Sequence, residues 1–520
     1  MAAAQDKGGV GMAYRLEMRD MTKKYGNFIA NDKVSFSLAA GEVHAIVGEN
    51  GAGKTTLMRM LYGMEQPTSG DIVLGDKKVT FRGPEDAIQS GIGMVHQHFM
   101  LFGEFTVTEN IVIGYEPKQA GFFKRKDAVE KVRALSEQYR IPIDAQAQVS
   151  SCSIGEQQRV EILKVLYQGA DIIVLDEPTA VLTPLEVREL LQTIRNLAES
   201  GKSVILITHK LQEVMEVADR ITVLRGGKVT GTVSRDDTNV DDLARLMVGR
   251  ELQELSERVA LERGPLLQVE NLTVREKQTL LDQVSFTVHH GEIVGIAGVS
   301  GNGQSELLQA LSGLRTAGEG SIKLGGKDVT NQSVATIRST GLAHIPEDRY
   351  MWGTAKLESV EENALMGYQR KPEYYRRGIV KREAFRQVVR GWVERFAIKT
   401  GSRQLQELAG NLSGGNLQKL IVARELGQET PFLIAAEPTR GVDIGAMEYI
   451  HQALIEKRNQ GDAILLVSSE LSEILALSDR ILVMYKGKIA GELARSEATE
   501  EKISVLMAGG SVHGSSQRAR

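Results

Sequence analysis

"VHAIVGENGAGKTTL", residues 43–57, decides how the rest of the chain is read. An apolar strand-like run (Val43–Val47) ends in a turn holding Gly48, Gly51 and Gly53, and a helix-like run opens at Lys54. The turn fits the spacing G-x-x-x-x-G-K-[ST], and a strand before it with a helix after it is the context that gives that spacing meaning. The glycines let main-chain N–H groups wrap an anion at a helix N-terminus. In this reading Gly48, Asn50, Gly51, Gly53 and Thr56 line a phosphate cradle, Lys54 holds the β and γ phosphates, and the Thr55 hydroxyl faces Mg²⁺. A charge pair near 4 Å at an effective dielectric of about 20 is worth on the order of 4 kcal/mol, so Lys54 is the largest single electrostatic contributor to such a site.

Working outward, "IIVLDE" (172–177) delivers two carboxylates at a strand end. Asp176 is placed for the magnesium sphere and Glu177 for the attacking water, as its general base. His209 follows the apolar run "SVILIT". A histidine at a strand end is ordinarily plain surface; its order behind the other motifs assigns it to the γ-phosphate.

The chain then repeats itself. "LDQVSFTVHHGEIVGIAGVSGNGQSEL" follows the pattern of "NDKVSFSLAAGEVHAIVGENGAGKTTL" at an offset of 250 residues, pairing Phe36 with Phe286, Gly48 with Gly298 and Gln97 with Glu347. The offset is 260 by "CSIGEQQ" and "LSGGNLQ". A period this long is duplication of a whole domain, not a solenoid. The expected organisation is a tail (1–13), a first domain (14–250), a charged linker (251–264), a second domain (265–508) and a tail (509–520). Both tails read as disordered from their small, polar, aperiodic composition. Strand-like segments at the start of each copy, followed by strand and helix alternation, predict an α/β fold: a parallel sheet wrapped by helices with an antiparallel lobe. The charged stretch Lys124–Tyr139 reads as a solvated helix.

Composition bounds the rest. With 520 residues, 42 % hydrophobic and 25 % charged, the chain is ordinary globular protein, and no apolar run approaches the roughly 18 residues of a membrane span. A net charge of −4 argues against broad electrostatic binding of nucleic acid. One cysteine, Cys152, permits no internal disulfide; together with the lack of a signal peptide this points to the cytosol, and Cys152 itself reads as a small buried hydrophobe. His96 and His98 flank Gln97 without a further ligand cluster, which argues against a metal site there.

The phosphate loop, the carboxylate strand and the segments "SIGEQ" and "LSGGN" together resemble the ATP-binding cassette family, over residues 14–508. The resemblance implies two cassettes, each with a helical subdomain, in which the signature of one closes on the ATP held by the other. It makes Tyr25 the adenine-stacking aromatic and Gln97 the glutamine that senses γ-phosphate, meets the metal and contacts the membrane partner. Ser413, Gly414, Gly415 and Asn416 then serve the first copy's ATP, and Ser153 and Gly155 the second's.

Against that pattern the second copy shows clustered losses. Gln304 replaces the lysine between Gly303 and Ser305, Ala436 the aspartate, Ser469 the histidine, and Arg275 stands near the missing aromatic; Glu437 remains. The expected division is one hydrolysing site and one degenerate site. This asymmetric tandem resembles the ATPase subunits of bacterial importers for simple sugars and nucleosides, and "LIAAEPTRGVDIGAMEYIH" is most like the nucleoside type; ribose, galactose or riboflavin importers are the neighbouring readings. The resemblance implies a peripheral ATPase on the cytoplasmic face, using ATP and Mg²⁺, with two transmembrane permease subunits as a heterodimer and an extracellular solute-binding protein, and no nucleic acid. The rival from another class is a soluble two-cassette factor on the ribosome, which ordinarily has a long helical linker and two competent sites; a DNA-repair cassette protein lacks support because no zinc ligands or heptads appear.

Overall fold

The computed structural model describes residues 14–26, 28–49, 51–97, 99–119, 122–179, 182–249, 255–259, 264–276, 279–299, 301–369, 371–376 and 379–511. The predicted N-terminal tail (1–13), residues 512–520 of the predicted C-terminal tail, Asn50, His98, and residues 251–254 and 260–263 of the linker lie outside these. The chain divides into two compact units, Met1–Leu252 and Gln253–Arg520.

In the first unit a six-stranded sheet runs in the order Lys228–Ser234, Arg220–Arg225, Val43–Gly48, Ser203–Ile207, Ile172–Asp176, Ile92–Val95. Five strands are parallel and only the Lys228–Ser234 edge is antiparallel. Every residue of the three central strands is buried. Both faces of a parallel sheet are covered by other layers, which is why these segments read as unbroken apolar runs and not as alternations. A separate antiparallel sheet orders Phe28–Ala39, Tyr14–Tyr25, Ser69–Leu74, Lys77–Val79. There the alternation is visible: Leu16 and Met18 point to the core while Glu17 and Arg19 point away from it.

Helices Val107–Val112, Arg125–Gln138 and Ile154–Tyr167 form the helical subdomain over one core that includes Val107, Ile111, Val132 and Ile162. The stretch predicted as a solvated helix is therefore amphipathic: Arg125–Gln138 buries Ala128, Val129 and Val132 and leaves its charges outside.

The second unit repeats the order, with Leu342–Ile345, Phe432–Ala436, Ala463–Val467, Ile293–Ala297, Arg480–Tyr485 and Lys488–Ala494 forming the sheet. Its helical subdomain is built differently inside. Tyr368, Phe385 and Trp392 pack with ring centroids 5.3–5.9 Å apart, where the first copy's core has Tyr139 among mostly aliphatic side chains. The described part of the linker is strapped to this unit: the Arg258 guanidinium donates to the Ala476 and Ser478 carbonyls and pairs with Asp479.

Candidate functional site

The parallel register brings the candidate residues to one edge. Ile207 lies opposite both Ile46 and Asp176, and Val95 lies opposite Leu175, so Gly48, Asp176, His209 and Gln97 all emerge at the carboxyl ends of adjacent strands. Ligand crevices of open α/β sheets form at that edge.

The loop after Val43–Gly48 is held tight by its glycines. Gly51 and Gly53 have φ of 82° and 98°, in the left-handed region. A Cβ on Gly53 would sit 2.5 Å from the Ala30 carbonyl, and one on Gly48 would sit 2.4 Å from the Leu224 carbonyl, so neither position admits a side chain. Helix Lys54–Leu61 starts directly afterwards. Lys54 is buried; its ammonium donates to the Gly48 carbonyl at 2.7 Å and the Glu49 carbonyl at 3.2 Å. Burial pushes its pKa down, while Glu177, Asp176 and Glu49 pull it back up.

Asp176 and Glu177 are neighbours with opposite tendencies. Burial, reinforced by the charge of Glu177, raises the Asp176 carboxyl, against Lys54 and a hydrogen bond with Thr55. Glu177 is held below the usual carboxylate range, first by its hydrogen bond with His209. One Glu177 oxygen is 3.1 Å from His209 Nδ1 and the other accepts from Gln97 Nε2 at 3.2 Å. The residue has a φ of 47°, a left-handed backbone that non-glycine residues rarely adopt, and its N–H is pinned to the Ile207 carbonyl at 2.8 Å. This turn aims the carboxylate back across the sheet edge.

The Tyr25 ring is 44 % exposed, which leaves a face free for stacking, and Lys23 lies 5.1 Å from its centroid. Burial raises the Tyr25 phenol, and Thr56 on the phosphate-loop helix lies near enough to oppose that rise. Thr55 is exposed beside Asp176. An exposed hydroxyl against a carboxyl whose charge is poorly compensated fits a hard, oxygen-seeking cation. Cys152 is half-buried, not buried as predicted, with its thiol toward the Gln148 carbonyl.

The second copy keeps the frame with other side chains in it. Gly301 and Gly303 have φ of 87° and 105°. Gln304 Nε2 donates to the Val299 carbonyl at 3.2 Å, a neutral imitation of the Lys54 contact, and it crowds Gly298. Ser305 donates to Glu347 at 2.8 Å. Glu437 repeats the φ of 47° and bonds the N–H and hydroxyl of Ser469 at 2.7 and 3.0 Å. Burial lifts its carboxyl to about 7.

Each signature opens a helix. Ser153 caps Ile154–Tyr167 in a reciprocal box with Glu156, and Ser413 caps Gly414–Leu426 by accepting from the Asn416 N–H. Asn416 also gives its side-chain amide to Ser413 at 2.8 Å. Two groups that the sequence reading did not single out stand against these caps, Glu186 and Arg349; "TPLE" (183–186) is a capping-box pattern and marks the first of them.

The family model for ABC transporters matches residues 31–180 and 281–440, once in each unit. The chain belongs to the ABC transporter family. Among its relatives, the nucleoside import ATP-binding protein NupA of Lactococcus lactis is 44 % identical over 96 % of this chain and 99 % of its own. The guanosine import ATP-binding protein NupO of Bacillus subtilis is 45 % identical over 96 % and 98 %. The ribose import ATP-binding protein RbsA of Rhodococcus jostii is 38 % identical over 94 % and 96 %. A solved archaeal ribosome recycling factor, aABCE1 in complex with the stalk protein aP1, shares the fold with a TM-score of 0.63 and 20 % identity, over 91 % of this chain and 90 % of that one. Both units of this chain are thus ATP-binding cassettes, the first with a full set of polar residues at its sheet edge and the second with a reduced one. No helix among the described residues is long and apolar enough to cross a membrane.

Proposed function

We propose that the chain is the ATP-hydrolysing, energy-coupling subunit of an importer for nucleosides, and that only its first phosphate loop supports rapid hydrolysis. The observation that carries the enzymatic half is Glu177 held between His209 and Gln97 while the Glu437 carboxylate, among the described residues, hydrogen-bonds Ser469. A carboxylate kept ionised, with both oxygens oriented, is ready to take a proton from the water that attacks the γ-phosphorus. His209 and Gln97 fix its direction, and Lys54 leaves its two loop carbonyls for the phosphates of ATP. Thr55, Asp176 and Gln97 would hold Mg²⁺, which neutralises phosphate charge when bound. The family resemblance assigns Ser413, Gly414, Gly415 and Asn416 to the ATP of the first copy, and Ser153 and Gly155 to the degenerate site.

The nucleoside reading rests on the 44–45 % identities to nucleoside and guanosine import proteins, against 38 % for the ribose import protein. Ribose, galactose or riboflavin as cargo is the alternative. The importer role implies two permease subunits, a solute-binding protein outside, and a place on the cytoplasmic face. The ribosomal reading has only a shared fold at 20 % identity in its favour. Labelled nucleoside uptake should be lost in a strain lacking this chain. Normal nucleoside uptake with lost ribose or riboflavin uptake refutes the cargo, and a chain that sediments with ribosomes and ignores its membrane partners refutes the importer.

A further inference from the structure

The losses in the second phosphate loop predict one weak nucleotide site, but they say nothing of the signatures themselves. Both copies keep the serine and the second glycine, Ser153 and Gly155 against Ser413 and Gly415. What faces those residues differs within each unit.

In the first unit Glu186 occupies the signature. Its Oε1 accepts from the Gly155 N–H at 3.2 Å and lies 3.5 Å from the Ser153 hydroxyl, while its Oε2 accepts from the Thr183 N–H and hydroxyl at 2.9 Å each. Gly155 is buried under this carboxylate, so closely that a Cβ there would meet Oε1 at 2.6 Å. Ile154 stands where the other copy has Gly414, and it is exposed.

The second unit reverses the charge. The position matching Glu186 is Ala446, and the atoms nearest to a Cβ on Gly415 are backbone atoms of Gly441 and Val442. Arg349, where the first copy has Phe99, donates to the Arg440 carbonyl at 2.7 Å. Its guanidinium lies 3.0 Å from the point a Cβ on Gly414 would take and 3.4 Å from that point on Gly441, with the Tyr350 hydroxyl beside it at 3.3 Å. Asp348 accepts from the Tyr350 and Met351 N–H groups, which fixes the turn that presents the arginine.

We propose that these two side chains decide which signature accepts a nucleotide phosphate: Glu186 withholds the first signature and Arg349 equips the second. The inference rests on the reading above that signatures meet ATP. An anionic carboxylate on the N–H that a phosphate oxygen would use both competes for the donor and repels the ligand, whereas a guanidinium held to a carbonyl by one nitrogen keeps other N–H groups for phosphate.

The test is an equilibrium titration with a fluorescent ATP analogue, using the full chain with its membrane partners in a Glu177→Gln background so that nothing turns over. The parent should show one tight and one weak class. Adding Glu186→Gln, which retains an amide able to cap Thr183, should tighten the weak class at least fivefold and leave the tight class alone. Adding Arg349→Gln should loosen the tight class at least fivefold, and Arg349→Lys should recover most of that loss. Two equal classes in the parent overturn the proposal. So does a weak class unmoved by Glu186→Gln, or both classes shifting together, which makes Glu186 only a cap of its own helix. If Arg349→Lys binds no better than Arg349→Gln, the arginine acts as a brace and not through charge, and that half fails. Failure of the hydrolysis reading would appear separately, as turnover that survives Glu177→Gln.

Discussion

Glu177 and Glu437 occupy the same place in two copies of one fold, with the same left-handed backbone and the same position at the end of a buried strand. Their protonation runs in opposite directions. Glu177 is held low by the hydrogen bond to His209 with help from Lys54, while Glu437 is lifted to about 7 because burial outweighs its hydrogen bonds from Ser469 and the more distant charge of Arg440. The frame that strains and aims a carboxylate has outlasted the residues that keep it charged. Geometry alone therefore does not keep a carboxylate charged; the hydrogen bonds and charges set around it do.

The sharpest way to break this comparison is to neutralise each carboxylate in turn. With membrane partners present, Glu177→Gln should lower steady-state ATP turnover about a hundredfold or more while leaving ATP bound, because it removes the base and keeps the pocket. Glu437→Gln should change turnover less than about threefold by the same reasoning. Equal losses mean two working sites, and Gln304 would then have to be read as a functional substitute for lysine.

A second test crosses the copies. Ser413→Arg should reduce turnover of the assembled transporter at least tenfold, since a bulky cation replaces the cap of a signature assigned to the working ATP. Ser153→Arg should be several times milder. Matched losses in the same ATPase measurement would remove the asymmetry from the signatures and leave it in the phosphate loops alone.

Much of this was legible before any coordinates. The offset, 250 residues at the phosphate loop and 260 from the signature onward, places each lost side chain opposite its intact counterpart, and unbroken apolar runs such as "IIVL" mark strands covered on both faces. The sheet edge then followed from topology, since each candidate sits just past a parallel strand. What could not be read were contacts between segments far apart in the chain. Glu186 was visible as the fourth residue of a capping box, yet only the fold carries its second oxygen to Gly155, 31 residues away. Nothing in the sequence sets Arg349 apart from other charges, and the half-buried Cys152 reads as core. The sequence of helix Arg125–Gln138 reads as solvated because its charges outnumber the three side chains that it buries.

Exchanging the phosphate-loop residues is a smaller perturbation. Lys54→Gln should weaken ATP binding at least tenfold, as loss of a charge pair worth on the order of 4 kcal/mol, partly screened, requires. Gln304→Lys should tighten the weak class by only a few fold, because Ala436 supplies no carboxylate opposite and Ser305 is already engaged by Glu347. A tenfold gain there, measured by the same nucleotide titration, would show that the lysine is the single missing part.

The smallest expected effect concerns stability and carries its own sign. Glu437 has a folded pKa near 7, above its ordinary value of 4.5, so the native state favours the protonated form. Its contribution is fully present below about pH 4.5, declines as pH rises, and is lost once pH passes 7. At about 1.4 kcal/mol per pKa unit the penalty at pH 8 is at most on the order of 3 kcal/mol, and partial exposure to solvent reduces it. Glu437→Gln removes the titration and keeps an oxygen to accept from the Ser469 N–H. The unfolding transition of the second unit should therefore rise by a few degrees at pH 8 in the variant, with a smaller difference at pH 5. Glu177→Gln should show no such gain at pH 8, because Glu177 is held low by His209 and its charge stabilises the fold above its pKa. A calorimetric scan of the full chain at the two pH values decides it: equal shifts at pH 5 and pH 8 would mean that packing, not the buried charge, separates glutamate from glutamine at this position.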